Sequence, residues 1–170
     1  MNTQQIELKA AQLLKDCNAF RAPVPLDLVF NHLGLVAQAR ALSEASGVLV
    51  VEGGKGVIGY NVAHSHVRQR FTMAHEVGHY VLHAKGKERR LFIDKAVTVY
   101  RRDDSSSAGN DWQEIEANRF AAALLMPKDL VCGEIEKSRF DPDDEDDVAE
   151  LAKRFNVSAA AMSIRLANLL

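Results

Sequence analysis

Three residues stand out as able to do chemistry together: His75, Glu76 and His79, in the run His75-Glu76-Val77-Gly78-His79. Residues four apart on a helix are neighbours on one face, so the two imidazoles of this HExxH pattern converge on a single point. Two neutral imidazoles so placed bind a divalent metal ion, zinc above all, but they hold it poorly without a further protein ligand. Glu76 is rotated about 100 degrees from His75 around the helix axis. It is therefore free of the metal and able to act as general base on a metal-bound water, the arrangement of a zinc-dependent peptidase. A helix carrying two unrelated histidines would spell the same letters, so the weight of the reading falls on the missing ligand.

The HExxHxxGxxH pattern with a third histidine is excluded, because Leu82 and Lys85 stand where its glycine and histidine would be. His83 lies two turns beyond His75, about 12 Å along a helix that rises 1.5 Å per residue, too far to share one ion. A solvated or supporting role suits it better. The run Glu114-Ile115-Glu116-Ala117-Asn118 offers two carboxylates on a helix whose alanine-rich face points inward. Glu114 lies about 60 degrees from Ala117 and on the flank shared with Asn118, while Glu116 lies about 100 degrees away on the other flank. The angles favour Glu114 over Glu116 as the third ligand and put Asn118 where its side chain can fix a ligand histidine. For the oxyanion that peptide attack creates, Tyr60, Tyr80, Tyr100 and His83 are all candidate donors, and nothing in the sequence chooses among them.

These residues must be positioned by a small α+β domain. Ile6, Ala10, Leu13, Leu14 and Cys17 have helical spacing over residues 4 to 17, and Ala22-Pro23-Val24-Pro25 breaks the pattern. A short helix is expected from Leu26 to Leu33, ended by Gly34. Leu35 to Ala37, Gly47 to Val51 and Gly56 to Tyr60 read as strands of a small antiparallel sheet, the last two joined by a turn at Glu52-Gly53-Gly54-Lys55. The histidine helix should run from His66 to His83, a strand from Ala96 to Tyr100, and a mobile polar loop from Asp103 to Asn110. A glutamate helix follows from Trp112 to Met126. The acidic run Asp141 to Asp147 reads as a solvated linker to a C-terminal helix pair, Val148 to Phe155 and Ser158 to Leu170. This predicts a catalytic domain over residues 1–140 and the helix pair over 141–170, packed on it or linked to it.

Two long stretches of the chain, 68–79 around His75 and 114–127 beginning at Glu114, resemble the ImmA/IrrE family of zinc metallopeptidases. The resemblance covers most of residues 1 to 130, including the Ala22-Pro23-Val24-Pro25 and Leu33-Gly34-Leu35 segments. It implies a compact, zincin-like, gluzincin-type domain in which His75, His79 and a glutamate hold Zn2+, and its ExxAN pattern points independently to Glu114. It also implies cleavage of a helix-turn-helix (Xre-type) repressor or antitoxin at a specific site, since family members cleave such regulators or stand beside them as toxin-like partners. No fused helix-turn-helix precedes the motif and no sensor domain follows it, so the regulator is expected to be a separate protein.

Composition narrows the remaining classes. The chain has 170 residues, 47% of them hydrophobic, with 21 basic against 23 acidic side chains and a net charge of −2. One core is expected, and there is no overall field to draw it to DNA or to an anionic membrane. The first residues lack a secretory signal and no segment is apolar for the ~20 residues a membrane helix needs, so the expected location is the cytoplasm. Cys17 and Cys132 lie far apart without a CxxC neighbour and are expected to be idle thiols. The C-terminal pair has a helix-turn-helix look, with Lys153, Arg154 and Arg165 as possible phosphate contacts, but the adjoining acidic run argues against direct DNA binding. The rival to a peptidase is a non-hydrolytic, toxin-like or regulator-binding protein with a structural zinc; against it, structural sites are closed by Cys or His, and Glu76 occupies the place of a water-activating base.

Overall fold

A computed structural model describes residues 1–86, 88–95, 107–137 and 139–170. The expected strand Ala96 to Tyr100 and the first part of the expected polar loop, 103–106, lie outside them. Among the described residues the chain is α+β, with seven α-helices and one four-stranded sheet.

The N-terminal helices follow from local signals. In α1 (Thr3–Asp16), Asn2 and Gln5 form a reciprocal cap, and Ile6, Ala10, Leu13 and Leu14 are the buried stripe. The second helix, α2 (Leu26–Leu33), begins after Pro25 and ends at Gly34 as expected. The sheet is built from β1 (Leu35–Arg40), β2 (Ala45–Glu52), β3 (Lys55–Asn61) and β4 (Arg89–Lys95), in the order β1-β3-β2-β4. The β2–β3 hairpin is antiparallel as predicted, but β1 pairs with β3 in parallel, so the sheet is mixed. The cause is the connection: the chain leaves β1, forms β2 first, and returns through the hairpin to lay β3 between them.

β4 is an addition to the sequence reading. It pairs with β2 from Glu52↔Arg89 to Ala45↔Lys95 and forms the outer edge of the described sheet next to the histidine helix. Its one-sided burial hid it: Leu91 and Ile93 face outward and are exposed, while Phe92 and Asp94 face inward in a segment crowded with charge.

The histidine helix α3 (His66–His79) lies on the inner sheet face and passes directly into a π-helical turn, Tyr80–Ala84. Crossing it is α4 (Ser107–Leu125), longer than expected; residues 107–110, assigned to a loop from their polarity, are its first turn. Side chains good at competing for backbone hydrogen bonds are tolerated at helix starts, which is why Ser and Asn there mislead. α4 contributes Ala117, Phe120, Ala121 and Leu124 to the core, all fully buried.

The chain closes with α5 (Lys128–Glu136), α6 (Glu145–Phe155) and α7 (Ala159–Ala167). Part of the expected acidic linker is the start of α6: the Asp144 side chain accepts from the backbone of Asp146 and Asp147, and three acidic residues fill the first turn. Negative charge there is favoured by the helix dipole. Val148, Leu151, Phe155, Met162 and Leu166 join the same core as the N-terminal helices. The three basic residues proposed as phosphate contacts fare differently. Arg165 is buried and paired with Glu7, and Arg154 pairs with Glu134 and Glu150; Lys153 alone is exposed without such an engagement among the described residues. Both cysteines are free thiols and half-buried. No described helix is long and apolar enough to cross a membrane.

Candidate metal centre

α3 delivers His75 and His79 to one point from successive turns. Both rings are buried, and their Nε2 atoms stand 3.0 Å apart. From α4, the Glu114 carboxylate meets both: Oε2 is 3.1 Å from His75 Nε2 and Oε1 is 3.2 Å from His79 Nε2. Two atoms bound about 2.0–2.1 Å from one tetrahedral ion lie about 3.3 Å apart, so this triangle has the edge lengths a metal requires. The three side chains form the group of possible ligands found among the described residues.

The two carboxylates left open by the sequence separate here. Glu116 points to the other flank of α4, where it pairs with the amino group of Met1 and lies 3.7 Å from His83 Nε2. His83 is thus turned away from the triangle, as its distance along the helix predicted.

Supporting contacts set the ring orientations. The Asn118 amide oxygen, one turn after Glu114, is 3.0 Å from His75 Nδ1, where it accepts the ring N–H and leaves Nε2 as the free lone pair. Phe92 on β4 stacks on the His79 ring with centroids 4.6 Å apart and planes 22° from parallel. The α3–α4 distance is set by Gly78: a Cβ there would lie 3.0 Å from both the Cα and the carbonyl oxygen of Ala117. A larger residue would push away the helix that carries Glu114.

Glu76 faces the sheet side of the cleft. Both its carboxylate oxygens are buried without a hydrogen-bond partner among the described residues. A Cβ on Gly47 of β2 would come within 2.7 Å of Glu76 Oε1 and 2.4 Å of Thr72 Cγ2, so a glycine is what admits this carboxylate. Asp94 stands opposite Gly47 on β4. Gly47, Phe92 and Asp94 were not singled out from sequence, since each acts through a strand pairing that no local spacing records.

The charges are tightly coupled. Burial pushes the Glu76 carboxyl up to about 8, and the nearby Asp94 and Glu114 push it the same way against the pull of His75. Asp94 is raised chiefly by its own burial. For Glu114 burial acts upward but is outweighed by the two histidine contacts, which hold it down at about 2. In His75 the lowering effect of burial is overcome by Glu114, Glu76 and Asp94, and the ring is raised. The buried Glu76 carboxyl, with half-buried Asp94 and Glu114 near it and two imidazoles whose lone pairs converge, is what a divalent cation would neutralise. The residues present fit such an ion.

The oxyanion candidates divide as well. Tyr80 is buried with its ring against Gly56, so it packs under the sheet, and Tyr100 lies outside the described residues. β3 is paired on both sides, so Val57 to Tyr60 offer no edge to an extended peptide; among the described residues the open edge beside the centre belongs to β4.

Comparison with known proteins agrees with this geometry. Residues 31–167 match the family described as IrrE N-terminal-like domain, peptidase family M78. The chain is also 33% identical over 150 residues to the radiation response metalloprotease IrrE of Deinococcus radiodurans, an alignment covering 86% of this chain and 38% of that protein. It thus spans well under half the length of that relative. With this family matched by residues 31–167, most of its length, the chain belongs to the IrrE N-terminal-like domain family of metallopeptidases.

Proposed function

We propose that this protein is a zinc-dependent endopeptidase in which His75, His79 and Glu114 hold the ion and Glu76 is the catalytic base. The observation that carries the reading is the convergence of His75 Nε2, His79 Nε2 and the Glu114 carboxylate, with the Glu76 carboxylate buried beside them without a hydrogen-bond partner among the described residues. Bound there, zinc would supply a Lewis acid for the scissile carbonyl and lower the pKa of the attacking water. The protein's own groups do the rest. Glu76 takes a proton from that water and passes it to the leaving amine, a shuttle helped by a carboxyl whose affinity for protons is already raised. Asn118 keeps His75 in the tautomer that presents Nε2. The edge of β4, open among the described residues, aligns an extended peptide by main-chain hydrogen bonds.

The substrate we propose is a helix-turn-helix (Xre-type) repressor or antitoxin in the cytoplasm, cleaved at one specific site. Support comes from the resemblance of residues 68–79 and 114–127 to a family whose members cleave such regulators. A non-hydrolytic protein with a structural zinc would leave the buried Glu76, which has no hydrogen-bond partner among the described residues, without a task, and this weighs against that rival.

The test has two parts. Metal analysis of the zinc-loaded protein should find one zinc per chain in both wild type and Glu76→Gln. Incubation with helix-turn-helix regulators from the same genome and with casein, read by mass spectrometry, should give a discrete cut in a regulator with the wild type and none with Glu76→Gln. Many cuts in casein with every regulator intact would remove the specific substrate but keep the peptidase; bound zinc with no cleavage at all would favour the rival.

A further inference from the structure

Next to the candidate centre lies a cavity that none of the machinery above uses. It has a volume of about 600 Å³ and lies one turn of α3 toward the N-terminus from His75. Its walls are Phe71 from α3, Asn118, Ala122 and Met126 from α4 and its end, and Ile164 from α7; Arg165 forms part of its floor. Asn118 belongs to both places, lining the cavity while its amide oxygen holds His75. The cavity therefore begins within one side chain of the metal ligands.

Its lining is mainly apolar, with the exposed Arg119 also bordering it. Arg165, the one buried charge in the lining, is already satisfied: its guanidinium meets both carboxylate oxygens of Glu7 and donates to the Met126 carbonyl at 2.9 Å. It has no charge to offer a ligand. Ile164 sits on a helix whose Met162 and Leu166 are buried, yet it is 67% exposed where it lines the cavity. A volume in the range of ligand-enclosing sites and mainly apolar walls, with the one buried charge already paired, together select an apolar occupant.

Resting on the peptidase reading, we infer that this cavity is a specificity subsite that receives a large apolar side chain, such as leucine, from the peptide held at the metal. The C-terminal helix α7 is then a wall of the substrate cleft through Ile164, and the helix pair serves peptide selection instead of DNA contact. Filling the cavity removes Ile164 and Phe71 surface from water, and a pocket of this kind distinguishes one methylene by about tenfold or more.

The probes are acetohydroxamate and two succinyl hydroxamates, one with a methyl and one with an isobutyl side chain, titrated calorimetrically into zinc-loaded protein. Ile164→Asp and Ala122→Phe are the variants, the first at an exposed position whose change leaves the core intact and the second filling the cavity. Wild type should bind the isobutyl compound at least about tenfold more tightly than the methyl compound, and in both variants the ratio should fall below about twofold. Acetohydroxamate should bind all three proteins equally, and the Ile164 δ1 methyl resonance should shift with the isobutyl compound alone. An isobutyl preference that is missing in wild type, or that survives in both variants, overturns the subsite while leaving the metal centre standing. If no hydroxamate binds zinc-loaded protein, acetohydroxamate included, both readings fall.

Discussion

Replacing Gly78 by alanine adds a single methyl group at the point where α3 and α4 cross, and it should damage the metal centre more than the fold. The new Cβ would stand 3.0 Å from Ala117 Cα and its carbonyl oxygen and 3.3 Å from Phe120 Cβ. Comfortable carbon contacts are about 3.5–4.0 Å, so α4 must retreat by roughly 0.5 Å near Ala117. Overpacking of this kind costs about 1–3 kcal/mol, and alanine returns about 1 kcal/mol through its better helix propensity. The expected net loss of stability is therefore modest, roughly 0–2 kcal/mol. The consequence for zinc is larger because Glu114 lies one turn before Ala117, and metal–ligand distances tolerate only about ±0.2 Å. Zinc affinity should drop about 10- to 100-fold, a loss of about 1.4–2.8 kcal/mol. Competition against a chromophoric chelator measures the affinity, and urea unfolding of the metal-free protein measures the fold. Gly133→Ala in α5, where an added Cβ meets nothing within 4 Å, is the control and should leave zinc binding unchanged. The reasoning fails if Gly78→Ala binds zinc within about twofold of wild type.

Other expectations follow from the same geometry. Glu114→Ala should lose zinc while Glu116→Ala retains it, since only Glu114 reaches both imidazoles; a zinc-content assay with the reverse result would transfer the ligand role. Asn118→Ala should weaken zinc binding about 10- to 100-fold by freeing the His75 ring, and an unchanged affinity would mean that the amide merely happens to lie there. The metal-free protein should lose stability as pH rises from about 4.5 to about 8, because folded Glu76 holds its proton up to about 8 while the unfolded carboxyl releases it near 4.5; raised His75 acts in the same direction above about 6.5. Depressed Glu114 acts oppositely, its contribution being lost as pH falls from 4.5 towards 2. Urea unfolding in chelator at pH 5, 6.5 and 8 should show the alkaline decline, smaller in Glu76→Gln; a metal-free wild type that gains stability across that range would contradict the coupling.

What the sequence determined by itself is what one helix or one turn can encode. The i, i+4 spacing of His75 and His79 sets their convergence, the Gly34 and Ser158 signals end or begin helices where they were read, and the offset between Glu114 and Asn118 on a single helix anticipated both contacts with the histidines. These relations depend on 3.6-residue periodicity and survive any arrangement of neighbouring elements. Tertiary structure decided the rest. Gly47 matters only because β2 passes under Glu76, Phe92 only because β4 joins β2, and Gly78 only because α4 crosses there. Arg165 looked like a phosphate contact until packing of α7 against α1 gave it Glu7 as a partner. Helix angles favoured Glu114 over Glu116, but it is the placement of α4 against α3 that brings the first to the histidines and the second to His83. Contacts between elements depend on how whole faces pack, which is a sum over many side chains and leaves no mark in the spacing of any few of them.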